Sequence, residues 1–580
     1  MATSANSALS FQGLSTGIQT DALVSAILAQ EGQGLAALQA RQTRNNNKTT
    51  ALTAMQTSMT SLFVSLAALQ DKFNARTVTS TDTNNSYVTA TASGAGAGTY
   101  DVKVSTLATK GRISPTLDAS GNPTNLAVAN PANAIFTAGQ TTGTFAVQGT
   151  DGVIKTFQVT NNSLNGLRDA INASGAGVTA SIVNTGTGTT PYQLVITANA
   201  TGTGQTGGNI TLADITNGTS SSAGASVNTL GITAGFVDST TAPTTITGLS
   251  SATSGATAQN AVFTLNGIQL TRQSNVVSDA ADGITFTLKQ GGQTGSTTLT
   301  VSQDISTATA GIQDVITKFN ALVSGYKSAS ATTKNSDGSL NQGPLAGDST
   351  SRSIMAQIRT ALTGASAGLP STAPFTVPAS LGVRTNSDGT LSLDTTTFKA
   401  AMEKDPSAAL RLFTFSGDTT NGVVSFKSGG AKTATGPVTF NIDQFTTGGT
   451  VSGTFSGTYN GTAFSNVRLT GSNGTLVGAA GTPLEGLTLS VTATGTGTLT
   501  LARGAGQAVS DLITSFSASG TGFLSSALNN IRTQNQTLAT QISAAQSALN
   551  RRKQVLQLQF STMESTVAQM RASASSLTGA

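Results

Sequence analysis

The chain has 580 residues and a net charge of +5; it lacks Cys, His and Trp, and only 9% of its residues are charged. That length exceeds what one core can serve, so roughly three to five domains of about 100–150 residues are expected. The missing residue types exclude Cys/His zinc sites, haem ligation by thiolate or imidazole, and Cys–His or Ser–His–Asp nucleophiles, while stability without disulfides suits any redox compartment.

The stretch FQGLSTGIQTDALVSAILAQE (11–31) is apolar but broken by Gln12, Ser15, Gln19, Thr20 and Asp21, and the first basic residue is Arg41. A cleaved signal needs a charged start, a continuous apolar block and a small-residue cleavage site, so the segment reads as retained helix. No unbroken apolar run approaches the ~20 residues that span a bilayer, and no membrane insertion is expected. Thr20 suits an N-cap, with Leu23, Ile27, Leu35 and Leu38 at helical spacing behind it. RQTRNNNKTT (41–50) is polar on every side and is expected to be a hinge or frayed joint. From there Leu52, Met55, Met59, Leu62, Leu66, Leu69 and Phe73 alternate steps of three and four, a heptad seam that requires a second helix.

The middle of the chain is crowded with Gly, Thr and Ser and reads as short strands and turns. Residues 77–109 and 257–303 form one β-rich region, and 110–256 is a second, inserted in it. A helix carrying Ile305, Ile312, Ile316, Phe319, Val323 and Tyr326 follows, then a mixed segment to 415 and a further β-rich insertion at 416–503. The C-terminal segment repeats the seam at Leu524, Leu528, Ile531, Asn535, Leu538, Ile542 and Leu549, and again at Leu556, Phe560, Met563, Val567 and Met570, with a stutter between them. From 505 to 580 the acids are Asp511 and Glu564, too few for charge to set the pairing.

Residues with apparent chemistry have plainer readings. GTGQTGG holds Gly202, Gly204 and Gly207 in a G-x-G-x-x-G spacing, but a strand-like NITLAD follows where a phosphate-binding helix would have to begin, so a turn is expected. TNSDGTLSLD (385–394) and NSDGSL (335–340) carry too few carboxylates for a calcium loop and read as D-G turns. Glu403 and Asp405 fall on different helix faces, and RRK (551–553) reads as a solvated helix face. No catalytic residue, cofactor or metal site is assigned, and the sparse basic residues argue against nucleic acid.

Several blocks resemble one family in order along the chain: GLSTGIQTDALVSAILAQE (13–31), GTYDVKVSTLAT (98–109), LNGIQLTRQSNVVSDAADGITFTLK (265–289), GPLAGDSTSRSIMAQIRTAL (343–362), LGVRTNSDGTLSLDTTTFKAAMEKDPSAALRLF (381–413) and LNRRKQVLQLQFSTMESTVAQM (549–570). They are similar to the bacterial flagellar hook-associated protein 2 family, the filament cap. Residues 164–198 resemble a repeat shared by flagellin and hook-associated proteins, and 416–503 departs as an additional β domain.

The resemblance implies an α+β multidomain fold: a helical coiled-coil leg built from both termini, with inserted β-rich, sandwich- or barrel-like head domains. It divides the chain into terminal leg helices (1–45 with 540–580), a helical and mixed domain (46–76, 304–415 and 504–539), and head domains at 77–109 with 257–303, at 110–256 and at 416–503. It places Gly13, Leu14, Gly17, Thr20 and Asp21 in a terminal assembly and export motif, and makes the two seams a helix-pairing surface. It implies a non-enzymatic homo-oligomer of five subunits, with six as the alternative, outside the cell at the distal filament tip. Export would follow the flagellar type III route without cleavage; flagellin and the hook-associated junction proteins would be partners, and an export chaperone would hold the C-terminal helices. Two other readings stay open: a hook–filament junction protein, and a surface adhesin with β-rich binding domains.

Overall fold

The computed structural model describes residues 20–218, 223–237 and 246–578, so Gly13, Leu14 and Gly17 lie outside the described residues. The chain divides at Phe73/Asn74 and Asp304/Ile305 into two compact units. The helices are α1 (Thr20–Glu31), α2 (Gln33–Ala67), α3 (Leu69–Asn74), α4 (Leu164–Ala173), α5 (Ile305–Ser330), α6 (Ser349–Thr363), α7 (Thr395–Lys404), α8 (Pro406–Arg411), α9 (Ala505–Ser517) and α10 (Phe523–Thr578). Of these, α4 belongs to the unit formed by residues 74–304 and the others to the helical unit.

The helical unit is organised by one core. Its contributors are the stripe from Leu52 to Phe73 on α2 and α3, Ile312, Ile316 and Phe319 on α5, Ile354 and Ile358 on α6, Phe398 on α7, and Val509, Ile513, Leu524 and Ile531 on α9 and α10. The Phe73 ring meets Phe398 edge-on at 5.9 Å, the geometry that aromatic quadrupoles favour. Asn320 on α5 binds a neighbouring hairpin from both ends of its amide, donating to the Leu391 carbonyl (2.8 Å) and accepting from the Leu391 N–H (2.7 Å).

One expectation is corrected here. Residues 41–50 form no hinge; α2 runs through them unbroken. Gln42, Asn45 and Thr49 are half-buried and continue the three–four spacing from Leu35 and Leu38 to Leu52, so the seam passes through polar residues. By length and composition alone Gln33–Asn74 could cross a bilayer, although polar residues interrupt it throughout and it holds no unbroken apolar run of that length. Much of its apolar stripe is already used, since Leu52, Met59, Leu62 and Leu69 are fully buried in the helical core, although Phe63 and Val64 are exposed.

Asp394 caps α7, accepting from the N–H groups of Thr396 and Thr397, and the Arg384 guanidinium donates to it at 2.8 Å. The Arg384 hydrogen bond, then the Thr397 N–H, hold its carboxyl down at about 2, below the ordinary 3.8. A lowered folded-state value means that the contribution is present above 3.8 and is lost as the pH falls toward about 2. Asp394→Asn keeps a good capping residue but cannot titrate; acid melts of that variant are expected to lose this limb. An unchanged acid profile would show that the site is not coupled to folding.

Residues 415–503 form a single antiparallel eight-stranded sheet in the order Phe415–Thr419, Gly495–Arg503, Gly436–Phe445, Thr450–Tyr459, Thr462–Ser472, Thr475–Val477, Thr488–Val491 and Val424–Ser428. Alternating residues such as Val438, Phe440 and Ile442 fill its interior with Phe455, Leu489 and Leu499. The two end strands come together without ladder hydrogen bonds. Instead Phe415 stacks on Phe426 at 5.6 Å and 14°, and a Cβ on Gly417 would stand only 2.9 Å from Phe426. Of the sandwich and barrel alternatives, this is a nearly closed barrel.

In the other unit, strands near its two ends share one core. Arg76–Ser80, Thr297–Gln303, Gly98–Thr106, Ala261–Leu265 and Ile268–Arg272 make a five-stranded sheet, and Val88–Ala92 pairs with Ile284–Leu288. Val102, Val104, Phe263, Phe286 and Leu299 lie between them. The intervening residues carry their own core, in which Phe145, Leu194 and Ile196 pack with Leu164, Leu167 and Ile171 of α4. Gly202 and Gly204 sit in a turn at positive φ, and a Cβ on Gly204 would fall 1.9 Å from the Thr150 carbonyl oxygen. Close backbone approach explains that glycine without a phosphate.

Candidate assembly interface

The two ends of the chain meet in the helical unit. Asn45 Nδ2 donates to Gln534 Oε1 (3.5 Å), Asn535 Nδ2 to Asn46 Oδ1 (2.8 Å), and Arg552 Nε to Glu31 Oε1 (3.2 Å). As the number falls on one strand of contacts it rises on the other, so α1 and α2 run antiparallel to α10.

Three zones follow along this pair. In the first, Leu52, Met55, Met59, Leu62, Leu66, Leu69 and Phe73 share a core with Leu524, Ile531 and the half-buried Leu528. The second is polar: Asn535 stands at a seam position with its Oδ1 fully buried and without a hydrogen bond among the described residues. An apolar Leu there would pack better; a polar residue at a seam position fixes register and lowers stability. Lys48 ties this zone to α6 through Asp348 at 2.6 Å. Burial would raise the Asp348 carboxyl, but the Lys48 and Ser351 hydrogen bonds outweigh it and hold the value low. A groove of ≈ 750 Å³ lies beside the polar zone, with Thr50, Thr53, Gln56, Arg532 and Gln536 in its walls.

In the third zone Leu538, Ile542 and Leu556 are buried on α10 and Val24 on α1. Leu549 is half-buried and approaches Gly32, where a Cβ would lie 3.8 Å from its Cδ1. Thr20 opens α1 and is buried, whereas Asp21 is exposed. Toward the C-terminus the seam emerges into solvent: Phe560 and Val567 are half-buried, Met563 and Met570 exposed, and Val555 and Leu558 beside them exposed as well. The structure therefore brings the Leu52–Phe73 and Leu524–Ile531 residues into one core, and leaves Met563 and Met570 out of it. Arg552 of the RRK run is not a bare solvated position, since it bonds Glu31.

The sequence reading missed Gln42, Asn45, Lys48 and Thr49. Their signal was spacing alone, because the three–four rhythm continues through them although the residues are polar. Among the described residues no three His, Cys, Asp or Glu side chains gather in a way that could hold a metal.

Profiles of known families match most of the chain. The flagellar hook-associated protein 2 N-terminus matches residues 16–111 and its C-terminus residues 258–572, while a flagellin hook IN motif matches 144–200. The B-type flagellar hook-associated protein 2 of Pseudomonas aeruginosa is 32% identical over 387 residues, covering 64% of this chain and 71% of that protein. Flagellar hook-associated protein 2 of Escherichia coli K12 is 28% identical over 411 residues, 69% of this chain and 79% of the relative. Among solved structures, the D1-D2-D3 domains of the flagellar cap protein FliD from Escherichia coli cover 84% of this chain at 24% identity and a TM-score of 0.49.

Proposed function

The chain belongs to the flagellar hook-associated protein 2 family, and from that premise we propose that its paired termini are the leg by which it docks into an assembly. It caps the distal end of the bacterial flagellar filament, outside the cell, and so supports filament elongation and motility. The junction-protein and adhesin readings lose ground to the matches at both ends of the chain. The family is structural, so the work is mechanical: a ring of subunits shields the tip and gives incoming flagellin a place to fold and insert.

The observation that carries the leg is the antiparallel seam itself, apolar near the core, polar in the middle and uncovered toward Met570. A leg must release and rebind as subunits add. A seam weakened by Asn535 and ending in exposed Val555, Leu558, Met563 and Met570 supports that, because affinity is limited while apolar surface remains for a partner. A five-subunit ring, with six as the alternative, fits this role. Flagellin and the hook-associated junction proteins are the neighbours it would meet. A cytoplasmic chaperone covering the exposed face of α10 before uncleaved type III export completes the proposal.

The test is immunogold labelling of intact cells with antibody raised against the full chain, using a deletion strain as control. Gold confined to filament tips is the expected result. Gold at the hook–filament boundary or along the shaft would move the protein to another flagellar class, and gold over the cell body would revive the adhesin.

A further inference from the structure

The barrel at 415–503 and the helical core have separate interiors, and one side chain reaches into the supports of both. Arg503 ends the strand Gly495–Arg503 and its side chain is four-fifths buried. Its Nη2 donates to the carbonyls of Gly430 and Thr433, each at 3.0 Å, in the segment that links two barrel strands. Its guanidinium lies 5.5 Å over the ring of Phe415, one half of the aromatic stack that closes the barrel where ladder hydrogen bonds are missing. On the other side its Nε faces Asp511 Oδ2 of α9 at 3.5 Å. Gln507 holds the second Asp511 oxygen at 2.8 Å. The Arg503 backbone pairs in both directions with Ala367, which follows α6.

We propose that Arg503 is the positioning residue of the added barrel: it latches the barrel's unladdered seam and fixes the closed barrel to α9, so that the barrel is carried as a rigid fixture of the helical unit. The chemistry suits arginine. A planar fork serves two carbonyls, its face covers an aromatic ring, and its weak hydration tolerates burial; an ammonium does these things poorly. Connections between domains are mobile by default unless the contact is large or specifically fixed. Here two strands enter and leave side by side, and the guanidinium adds a third attachment. The Asp511 contact is the looser end, because neither Arg503 Nε nor Asp511 Oδ2 completes a hydrogen bond. Burial pushes the Asp511 carboxyl up, against the pull of Gln507 and Arg503.

The sequence contains no Cys, so two spin labels can be placed uniquely through Ser472→Cys on the barrel and Lys399→Cys on α7. Pulsed paramagnetic-resonance distances on the full chain are expected to show one narrow distribution. Arg503→Gln is expected to broaden it and to speed amide exchange at residues 430–434 by about tenfold or more, the factor that loss of one charge-assisted hydrogen bond implies. Arg503→Lys keeps the charge without the fork and is expected to recover part of the narrowing. An unbroadened distribution with unchanged exchange in Arg503→Gln would overturn the proposal. If that variant fails to fold, Asp511→Asn releases only the α9 end: broader distances with unchanged exchange at 430–434 support the latch, and unchanged distances refute it.

Discussion

Leu62→Lys is expected to unfold the helical unit while leaving residues 74–304 folded. Leu62 is fully buried in a core that also takes Ile312, Ile316, Phe319, Ile358 and Phe398. Truncating a buried Leu to Ala costs about 2–5 kcal/mol through lost transfer and the cavity left behind. Lys adds the cost of an ammonium without a partner, or of neutralising it, so the loss exceeds the Ala value by several kcal/mol. A domain is stable by only about 5–15 kcal/mol, which puts this single change at or past the threshold. Helical circular dichroism should show the main melt lost or far advanced, and cells carrying the variant should grow no filaments. Leu62→Ala should give an intermediate melt. Val64 provides the control, since it is 59% exposed on the same helix and Val64→Lys should change little. A wild-type melt in Leu62→Lys would sink the seam as the organiser of this unit.

That experiment also marks what could be read from the sequence. The stripe from Leu52 to Phe73 was legible because apolar residues at steps of three and four have few other uses. The same helix between Gln42 and Thr49 was misread as a joint, because its partners are Gln534, Asn535 and Asp348, hundreds of positions away, and no local rule names them. The barrel was legible as alternating strands such as PVTFNIDQF, but not as a barrel. Its closure depends on Phe415 meeting Phe426 and on a strand ending at Arg503 pairing with one starting at Phe415, and contacts of that separation leave no local periodicity. Of the C-terminal seam, the sequence showed that it reached Met570 but not that it leaves the core before it gets there. Solvent and core use the same spacing; they differ only in whether another helix is present.

Asp214→Ala is expected to destabilise the 74–304 unit by about 3–5 kcal/mol, since each hydrogen bond to a charged group contributes about 1.5–3 kcal/mol and orphaned donors add their desolvation. Asp214 is 2% exposed, at the end of the strand Thr211–Asp214. Among the described residues, five donors converge on its two oxygens. Thr216 N–H (3.2 Å) and Oγ1 (2.9 Å) donate to Oδ1; Ser226 Oγ (3.1 Å), Val227 N–H (2.8 Å) and Asn228 Nδ2 (2.7 Å) donate to Oδ2. Nothing in LADITNG announces this, because the text reads as an ordinary turn and three of the donors come from 226–228. Alanine would strand the N–H groups of Thr216 and Val227, whereas the Thr216 hydroxyl keeps the Thr144 carbonyl and the Ser226 hydroxyl and Asn228 amide keep the Ile232 carbonyl; asparagine would strand fewer. With its carbonyl toward Val227 and Asn228, the amide would leave only the Thr216 N–H opposed, since the Thr216 hydroxyl can rotate to accept. Asp214→Asn should therefore cost about 1–2 kcal/mol, clearly less than Ala. The check is thermal unfolding of the full chain with limited proteolysis at 223–237. If Ala and Asn melt together near the wild-type temperature, the carboxylate is a passive occupant of its site. If Ala falls far below Asn, a single buried acid holds a polar loop to a β sheet.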